Sequence, residues 1–338
     1  MRQMWISKAG APGVLQSQVS PDPIPRSGEV RIRVEACGVT FADLMGRMGQ
    51  DKDAPKIPFV PGYEVVGTVD LIAQGVAHVK EGDAVFALTQ SGGYSDVVCV
   101  PYKQVFPRLD WMSVQDAAAL PVDYLLAYLM LTVMGSLQVG NKVFLHGADG
   151  GIGLAALDIC KILGAETLGT ALPEKHDFLK VRGLTHPIDY QHFDYERVVM
   201  DLTGGKGVHL ALDGWGGVHW PKTYRLLMPT GRLIHYGLQS LAPGKRRSFL
   251  SWWRGMMMLP FYTPLKLMHD NKGVMGVSLA NLWGVAEWLR PWMQQIISWY
   301  DEAFFRPHID ETFPLADAAL AHEYLHERQN TGKVLLIP

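Results

Sequence analysis

The sequence predicts an α/β protein with two domains, and three observations support this prediction. The chain has 338 residues, 48% of them hydrophobic, which is more than one ordinary core accommodates. Its N-terminal part alternates short apolar runs with Gly, Pro and Asp turns, as all-β units do. From residue 142 onward strand and helix signals alternate, as a doubly wound parallel sheet requires.

Composition excludes several classes of protein. The formal net charge is −2, so no basic field is available to attract nucleic acid. The three cysteines, Cys37, Cys99 and Cys160, are too few and too widely spaced for a disulfide framework or a four-cysteine zinc site. The first residues contain no apolar signal core. We therefore expect a soluble, cytoplasmic protein that does not bind nucleic acid.

The first domain is predicted to be a barrel-like β unit over residues 1–122. Residues 29–34 and 65–69 alternate apolar and polar side chains, and turns such as Pro61-Gly62 and Glu81-Gly82-Asp83 separate such runs. Residues 124–134 then predict an apolar helix that leads into the second domain.

The stretch that organises the second domain is residues 142–153. An apolar strand over 143–145 leads through glycines into the helical pattern of residues 154–163. The spacing Ala148-x-Gly150-x-x-Gly153 is a dinucleotide fingerprint in which alanine takes the place of the first glycine. Gly150 would let the backbone approach a pyrophosphate, and Gly153 would let the helix pack closely on the strand. The alternative is a tight connection without a ligand.

This fingerprint predicts which residues contact a dinucleotide. The amides and the positive dipole at the helix start would hold the phosphates. The predicted cofactor contacts in this turn are Ala148, Gly150, Gly151, Ile152 and Gly153.

The end of the second predicted strand, residues 166–171, indicates which coenzyme is used. An NAD enzyme carries an acid there for the ribose hydroxyls, but this chain has Gly169, Thr170 and Ala171. A 2′-phosphate is therefore admissible, and Lys175 could pair with it. The pattern favours NADPH over NADH. The alternative is that Lys175 is a solvated surface lysine.

The remaining elements complete the two domains. Further strands are predicted over residues 167–169, 210–212, 233–236 and 274–277. A long amphipathic helix is expected from residue 282 to about residue 299, kinked or broken at Pro291. One helix and a closing strand over residues 333–337 form the tail.

Residues 245–268 form a basic segment rich in Trp and Met. Lys245, Arg246 and Arg247 open it, and Arg254, Pro260, Pro264 and Lys266 interrupt its apolar residues, so it cannot comfortably span a bilayer. It could rest on a membrane interface as a peripheral contact. It could instead line an apolar pocket or a subunit contact. Its flexible thioethers suggest an apolar small-molecule substrate.

Several motifs together resemble the medium-chain dehydrogenase/reductase superfamily in its zinc-independent quinone oxidoreductase branch, over essentially the whole chain. These motifs are residues 37–43 with Arg47, residues 61–64, 82–85 and 146–153, and residues 332–336. Within that branch the chain is similar to the vesicle amine transport protein group. The runs that carry this closer likeness are residues 41–45, 169–171 with Lys175 and His176, 185–190 and 330–334.

The resemblance implies a fold and a cofactor site. Residues 1–122 and 285–338 would form a GroES-like domain, and residues 123–284 an NADPH-binding Rossmann domain. Lys175 and Tyr190 would hold the 2′-phosphate of NADPH, close to Thr170. The turns at Gly214 and Gly237 and the side chain of Asn330 would lie against the cofactor. We also expect a homodimer.

The resemblance also bears on a catalytic metal. Zinc members of the superfamily bind their metal with a cysteine and a histidine at the positions of Thr40 and Tyr63, and neither residue here is a good zinc ligand. We therefore expect no zinc, and a structural role for Glu64. Residues 322–326 match His-Glu-x-x-His, a pattern of zinc proteases. We interpret it as a chance match on a solvated helix face.

The expected activity is hydride transfer from NADPH to a quinone or an α,β-unsaturated carbonyl. Such a reaction leaves negative charge on an oxygen that must be stabilised and protonated. The candidate donors are Tyr63, Tyr124, and Thr40 with Asp43 as its orienting partner. Packing is the alternative role for each tyrosine. The alternative for the whole chain is a cofactor-binding but weakly catalytic or non-catalytic protein that contacts membrane, lipid or a protein partner through residues 245–268.

Overall fold

The computed structural model describes residues 1–241, 244, 253 and 259–338. These residues form two compact units. One holds residues 1–125 and 280–338, and the other holds residues 126–241 and 259–279. Most of the basic segment 245–268, including Trp252 and Met256, lies outside the described residues.

The first unit is built on two sheets with mostly antiparallel pairing. Its strands are β1 (Arg2–Ile6), β2 (Leu15–Val19), β3 (Glu29–Val39), β4 (Glu64–Ile72), β5 (Ala84–Leu88), β6 (Val97–Pro101), β7 (Val105–Pro107), β14 (Ile309–Pro314) and β15 (Lys333–Ile337). A larger sheet has the order β14-β15-β3-β4-β5-β7, with β6 also paired to β3, and β1 pairs with β2. Within the larger sheet, only β14 and β15 run parallel.

Strand β3 shows how the sequence pattern creates this sheet. Val30, Ile32 and Val34 are buried, whereas Arg31 and Arg33 point to the other face and both pair with Asp70. This alternation confirms the predicted half-buried strand. The predicted closing strand is also confirmed, since β15 runs antiparallel to the end of β3 and the C-terminal tail thereby completes the sheet.

The second unit contains the predicted doubly wound sheet. Its strands are β8 (Lys142–His146), β9 (Glu166–Ala171), β10 (His186–Asp189), β11 (Val208–Asp213), β12 (Leu227–His235) and β13 (Gly273–Gly276). They run parallel in the order β10-β9-β8-β11-β12-β13. This is the strand order of dinucleotide-binding domains. The α/β fold class is confirmed.

Strand β10 is missing from the predicted strands. It is four residues long and contains Pro187, which lowers a strand signal because proline cannot donate to a ladder. The strand is nevertheless tolerated because it lies at the edge of the sheet and pairs with β9.

Helices connect these strands. They are α1 (Phe41–Arg47), α2 (Val114–Met134), α3 (Gly151–Ile162), α4 (His176–Val181), α5 (Tyr195–Leu202), α6 (His219–Arg225), α7 (Pro264–Asp270), α8 (Ala286–Asp301) and α9 (Ala318–His326). Of the kink or break predicted at Pro291, the break is wrong, because α8 continues through this residue. Leu289, Met293 and Ile296 are buried along one side of α8, and this packing compensates for the hydrogen bond that Pro291 cannot donate.

Helix α2 is apolar enough to resemble a membrane span. Its mean hydropathy reaches 1.7, but 78% of that window is buried within the structure. Such burial is the pattern of a core helix. It contains two π-helical segments, Leu120–Tyr124 and Leu129–Met134, the first of which includes Pro121.

Candidate cofactor and catalytic sites

The glycine-rich turn joins the end of β8 to the start of α3. Gly147 has a φ of 83°, a left-handed conformation that favours glycine. The backbone N–H of Ala148 donates to the carbonyl of Thr170 at 3.0 Å, which ties the turn to β9. Gly150 is the N-cap residue of α3, so Gly151, Ile152 and Gly153 form its first turn. The amides at the start of this helix are the groups that bind phosphate in such folds.

The two glycines of the fingerprint differ in their surroundings. A Cβ at Gly153 would lie 2.5 Å from the carbonyl oxygen of Gly147, so only glycine allows the helix to pack on the turn. A Cβ at Gly150 would meet nothing closer than that same oxygen at 4.0 Å. Close packing at Gly153 and open space at Gly150 are what a pyrophosphate cradle requires.

Thr170 is buried inside the fold at the end of β9. Its hydroxyl oxygen accepts the N–H of Gly147 at 2.9 Å and lies 2.8 Å from Nδ1 of His146. The side chain therefore holds the glycine-rich turn in place.

Lys175 follows β9 and is only 8% exposed. The alternative interpretation, in which it is a solvated surface lysine, is therefore wrong. Its ammonium forms an ion pair with the carboxylate of Asp149 at 2.8 Å. Asp149 stands inside the fingerprint but is not among the predicted site residues, because the spacing rule weighs only the glycines.

Tyr190 and the turns after β11 and β12 form the rest of the predicted cofactor region in this unit. The ring of Tyr190 meets that of Trp215 edge to face at 5.7 Å. A Cβ at Gly214 would lie 2.7 Å from the ring of Tyr236, and a Cβ at Gly237 would lie 2.5 Å from the carbonyl oxygen of Gly214. Both glycines are thus needed for two chain segments to approach each other.

Asp213 fixes the turn that contains Gly214. Its buried carboxylate accepts the N–H groups of Trp215 and Gly216 and the hydroxyl of Thr223, at 2.9, 3.1 and 2.6 Å. Burial raises the pKa of this carboxyl. Asp213 is not among the predicted site residues, although an Asp before a glycine-rich turn is a known turn-forming signal.

In the first unit, Thr40 and Asp43 are in direct contact. Thr40 is the N-cap of α1 and forms a capping box, in which its hydroxyl oxygen accepts the N–H of Asp43 and its own N–H donates to Oδ2 of Asp43. The Thr40 hydroxyl also donates to Oδ2 of Asp43 at 2.8 Å. Oδ1 of Asp43 accepts the N–H of Gly62 at 2.7 Å. Burial raises the pKa of Asp43 to about 6, although these hydrogen bonds favour the carboxylate.

The two candidate tyrosines have different surroundings. The hydroxyl of Tyr63 lies 3.4 Å from Oδ2 of Asp51, and burial keeps its pKa above the ordinary value, so it remains a neutral donor. Tyr124 is 2% exposed within α2, and its ring stacks on Phe305 with centroids 4.3 Å apart. Its ring therefore packs in the core of this unit.

Asn330 belongs to this first unit, whereas the other predicted cofactor residues belong to the second. Its side-chain amide donates to the carbonyl of Gly332 at 2.9 Å and so shapes the turn before β15.

Glu64 is part of a buried charge cluster. The ammonium of Lys333 pairs with the Glu64 carboxylate and lies 3.2 Å from that of Asp123. Glu64 also accepts the N–H of Val122 at 2.8 Å. Burial raises the pKa of Glu64 to about 7, and the charge of Lys333 opposes that rise. The cluster joins β4, α2 and β15, which is the structural role expected for Glu64.

The prediction that the His-Glu-x-x-His match lies on a solvated face is wrong for His322, which is fully buried. Nη1 of Arg47 lies 3.3 Å from its Nδ1, and the hydroxyl of Tyr94 lies 2.9 Å from its Nε2. Because arginine can only donate, Nδ1 must accept and Nε2–H must donate to Tyr94. The hydroxyl oxygen of Tyr94 is then the acceptor of this hydrogen bond. Burial keeps the pKa of His322 far below its ordinary value, so the ring is neutral.

Comparison with known families agrees with this geometry. Residues 26–110 match the alcohol dehydrogenase GroES-like domain, and residues 182–336 match the zinc-binding dehydrogenase family. The synaptic vesicle membrane protein VAT-1 homolog of Mus musculus is 38% identical over 96% of this chain and 80% of its own length. The quinone oxidoreductase of Sus scrofa is 29% identical over 100% of this chain and 98% of its own length.

Solved structures show the same fold. The human synaptic vesicle membrane protein VAT-1 homolog-like protein superimposes with a TM-score of 0.87 and 32% identity, covering 100% of this chain and 98% of that one. The Escherichia coli quinone oxidoreductase complexed with NADPH gives a TM-score of 0.89 and 26% identity, covering 100% of both chains.

Proposed function

This chain belongs to the medium-chain dehydrogenase/reductase superfamily, in the family of the VAT-1 homologs, and on that premise we propose that it is an NADPH-dependent oxidoreductase that reduces a quinone or an α,β-unsaturated carbonyl. The superfamily relatives include quinone oxidoreductases, one of them solved with NADPH. The choice of acceptor is our own inference.

The observation that carries the proposal is the construction of the turn between β8 and α3. Gly153 is needed for close packing and Gly150 leaves open space, while Lys175 is buried at the carboxyl end of β9. In an open parallel sheet, dinucleotides bind at this end of the strands. The amides at the start of α3 would hold the pyrophosphate, and Lys175 with Tyr190 would hold the 2′-phosphate.

The hydroxyl groups of Thr40 and Tyr63 are the proposed sources of the proton. Bound NADPH provides the hydride, and reduction of a carbonyl or enone leaves negative charge on the acceptor oxygen. Thr40 and Tyr63 carry neutral hydroxyls that could donate to that oxygen. The single hydrogen of the Thr40 hydroxyl is donated to Oδ2 of Asp43 at 2.8 Å. Asp43 would orient Thr40 through this bond, and the hydrogen would turn from Asp43 to the acceptor oxygen in the reaction. We favour Thr40 and Tyr63 over Tyr124, whose ring is stacked in the core.

The donor chemistry of these residues also supports a reaction without zinc. Threonine and neutral tyrosine hydroxyls are poor zinc ligands compared with the thiolate and imidazole of zinc dehydrogenases. The Thr40 hydroxyl is in addition used by Asp43. We expect activity that survives dialysis against a strong chelator, checked by metal analysis. Loss of turnover that added Zn²⁺ restores would contradict this part of the proposal.

The primary test is a fluorescence titration with NADPH and NADH in parallel, on the native chain and on Lys175→Ala. The matched control is Lys180→Ala, since Lys180 is an exposed lysine on the next helix whose side chain is 55% accessible. We expect tighter binding of NADPH than of NADH, and loss of most of that preference in Lys175→Ala alone. Absence of binding of either nucleotide would refute the cofactor site.

A substrate screen then tests the activity. Steady-state NADPH oxidation is followed over a panel of quinones and enones, with Thr40→Val and Tyr63→Phe as variants that remove one hydroxyl each. We expect one of the two variants to lower kcat by about 100-fold or more, as removal of a proton donor does. No NADPH oxidation above background across the panel would refute the proposed reaction.

A second candidate function is contact with a membrane surface through the region that includes α7. Phe261, Leu265 and Met268 are 86%, 77% and 72% exposed, an unusual display of large apolar side chains. Liposome flotation with anionic lipid tests this, using Phe261→Ser with Leu265→Ser as the variant and Phe193→Ser, exposed at 62%, as control. Flotation that the double variant does not reduce would contradict the candidate.

A further inference from the structure

The phosphate-binding turn contains an acid. Asp149 stands between Ala148 and Gly150, immediately before the first turn of α3. A carboxylate at this position opposes the anions that the helix start attracts. In the structure it is compensated by Lys175, whose ammonium lies 2.8 Å away, with side-chain exposures of 20% for Asp149 and 9% for Lys175.

The same ammonium is the one proposed to hold the 2′-phosphate. A phosphate oxygen bonded to Lys175 would lie at most about 5–6 Å from the Asp149 carboxylate, since each charge-assisted contact spans about 2.8 Å. The pyrophosphate at the start of α3 would face the same acid. NADPH brings both anions to this region, whereas NADH brings only the pyrophosphate.

We infer that Asp149 is a specificity-determining residue whose carboxylate competes with the 2′-phosphate for Lys175 and so limits the preference for NADPH over NADH. The inference rests on the proposed function. The Asp149 carboxylate repels NADPH, which carries the 2′-phosphate, more strongly than NADH, which lacks it. The native chain therefore accepts the two coenzymes more evenly than Lys175 alone would dictate.

Coulomb's law gives the size of the effect. Two unit charges about 5 Å apart, at an effective dielectric constant between that of a protein surface and that of water, change a binding constant by about tenfold. Because the 2′-phosphate is doubly charged, tenfold is a lower bound for the effect. We expect the ratio of Kd for NADH to Kd for NADPH to rise about tenfold or more in Asp149→Asn, which keeps a hydrogen-bond acceptor for Lys175 and removes the charge.

The experiment compares the native chain with Asp149→Asn by titration with NADPH and NADH. Adenosine 2′,5′-bisphosphate and 5′-AMP serve as a second pair of probes that differ only in the 2′-phosphate. The matched control is Asp158→Asn, which breaks another ion pair of the same unit, with Arg182 at 2.6 Å, away from the turn. Asp149→Ser is a second variant, and thermal unfolding establishes that each variant is folded.

The outcomes separate the inference from the proposed function. The inference is supported if two Kd ratios, NADH to NADPH and 5′-AMP to adenosine 2′,5′-bisphosphate, both rise for Asp149→Asn and Asp149→Ser but not for Asp158→Asn. A native chain that prefers NADPH, with ratios that stay constant or fall on removal of Asp149, overturns the inference and leaves the function standing. Weaker NADH binding by Asp149→Asn also overturns it, because the acid would then serve the ribose hydroxyls. A native chain that binds none of the probes overturns both.

Discussion

Replacement of Lys333 by methionine should strongly destabilise the first unit. The Lys333 side chain is 3% exposed and pairs with the carboxylate of Glu64, which is fully buried, and it lies 3.2 Å from that of Asp123. Methionine has a similar volume, so the substitution removes the charge with little change in packing. Two carboxylates then remain in the interior without their cation.

The size of the effect follows from burial. Breaking a buried ion pair by removing one partner costs about 3–5 kcal/mol, because the remaining charge is not compensated. The equivalent change in a solvent-exposed pair costs about 0–1 kcal/mol. Lys103 and Glu287 form such a pair, with side chains that are 48% and 66% exposed, so Lys103→Met is a matched control.

The loss of stability should depend on pH with a defined sign. Burial raises the pKa of Glu64 to about 7 from its ordinary 4.5, and the charge of Lys333 lowers it again in part. The folded state therefore binds a proton that the unfolded state releases, and stability from this group falls as pH rises from 4.5 towards 7. Without Lys333 the pKa rises further. Protonated Glu64 needs no cation, so Lys333→Met should cost less at about pH 5.5 than at about pH 8.

The assay is urea unfolding followed by tryptophan fluorescence for the native chain, Lys333→Met and Lys103→Met at both pH values. We expect a loss of about 3–5 kcal/mol for Lys333→Met at the higher pH and a smaller loss at the lower one. A loss below about 1 kcal/mol at both pH values, or a larger loss at the acidic one, would show that the cluster is not an energetically coupled charge group.

Further predictions concern the turn and the buried histidine. Gly153→Ala would force a Cβ to 2.5 Å from a carbonyl oxygen, so we expect about 1–3 kcal/mol lower stability and weaker nucleotide binding. Gly150→Ala, which has open space, should cost less than about 1 kcal/mol of stability. Thermal unfolding and titration check both, and equal losses would contradict the packing argument. Tyr94→Phe leaves Nε2–H of His322 without an acceptor and should cost about 1–3 kcal/mol. Unchanged urea unfolding would refute that hydrogen-bond direction.

Many elements of the fold were predictable because they depend on neighbours in the chain. Strand β3 is marked by its alternation, and β8, β11 and β12 are marked by their apolar runs. The glycine spacing at residues 148–153 marks the strand-to-helix turn directly. Strand β10 was not predicted because its own residues give a weak strand signal. It forms through its pairing with β9.

The candidate sites were predictable only in part. The glycines and Lys175 follow from a motif and from its offset after a strand, whereas the acid that pairs with Lys175 is 26 residues away and carries no local pattern. The same limit explains the wrong interpretation of His322. Its sequence neighbours suggest an exposed helix face, but Arg47, 275 residues earlier in the chain, meets its ring in the core.

The sequence by itself determined the α/β class, the doubly wound sheet and the glycine-rich turn, since periodicity and turn chemistry act over a few consecutive residues. The tertiary structure decided the partners of the buried charges. It brings Lys333 to Glu64 and Asp123, Arg47 to His322, and Asp149 to Lys175. A buried charge needs a partner, but which one it meets depends on strand order and packing, and these bring together residues that no local pattern connects.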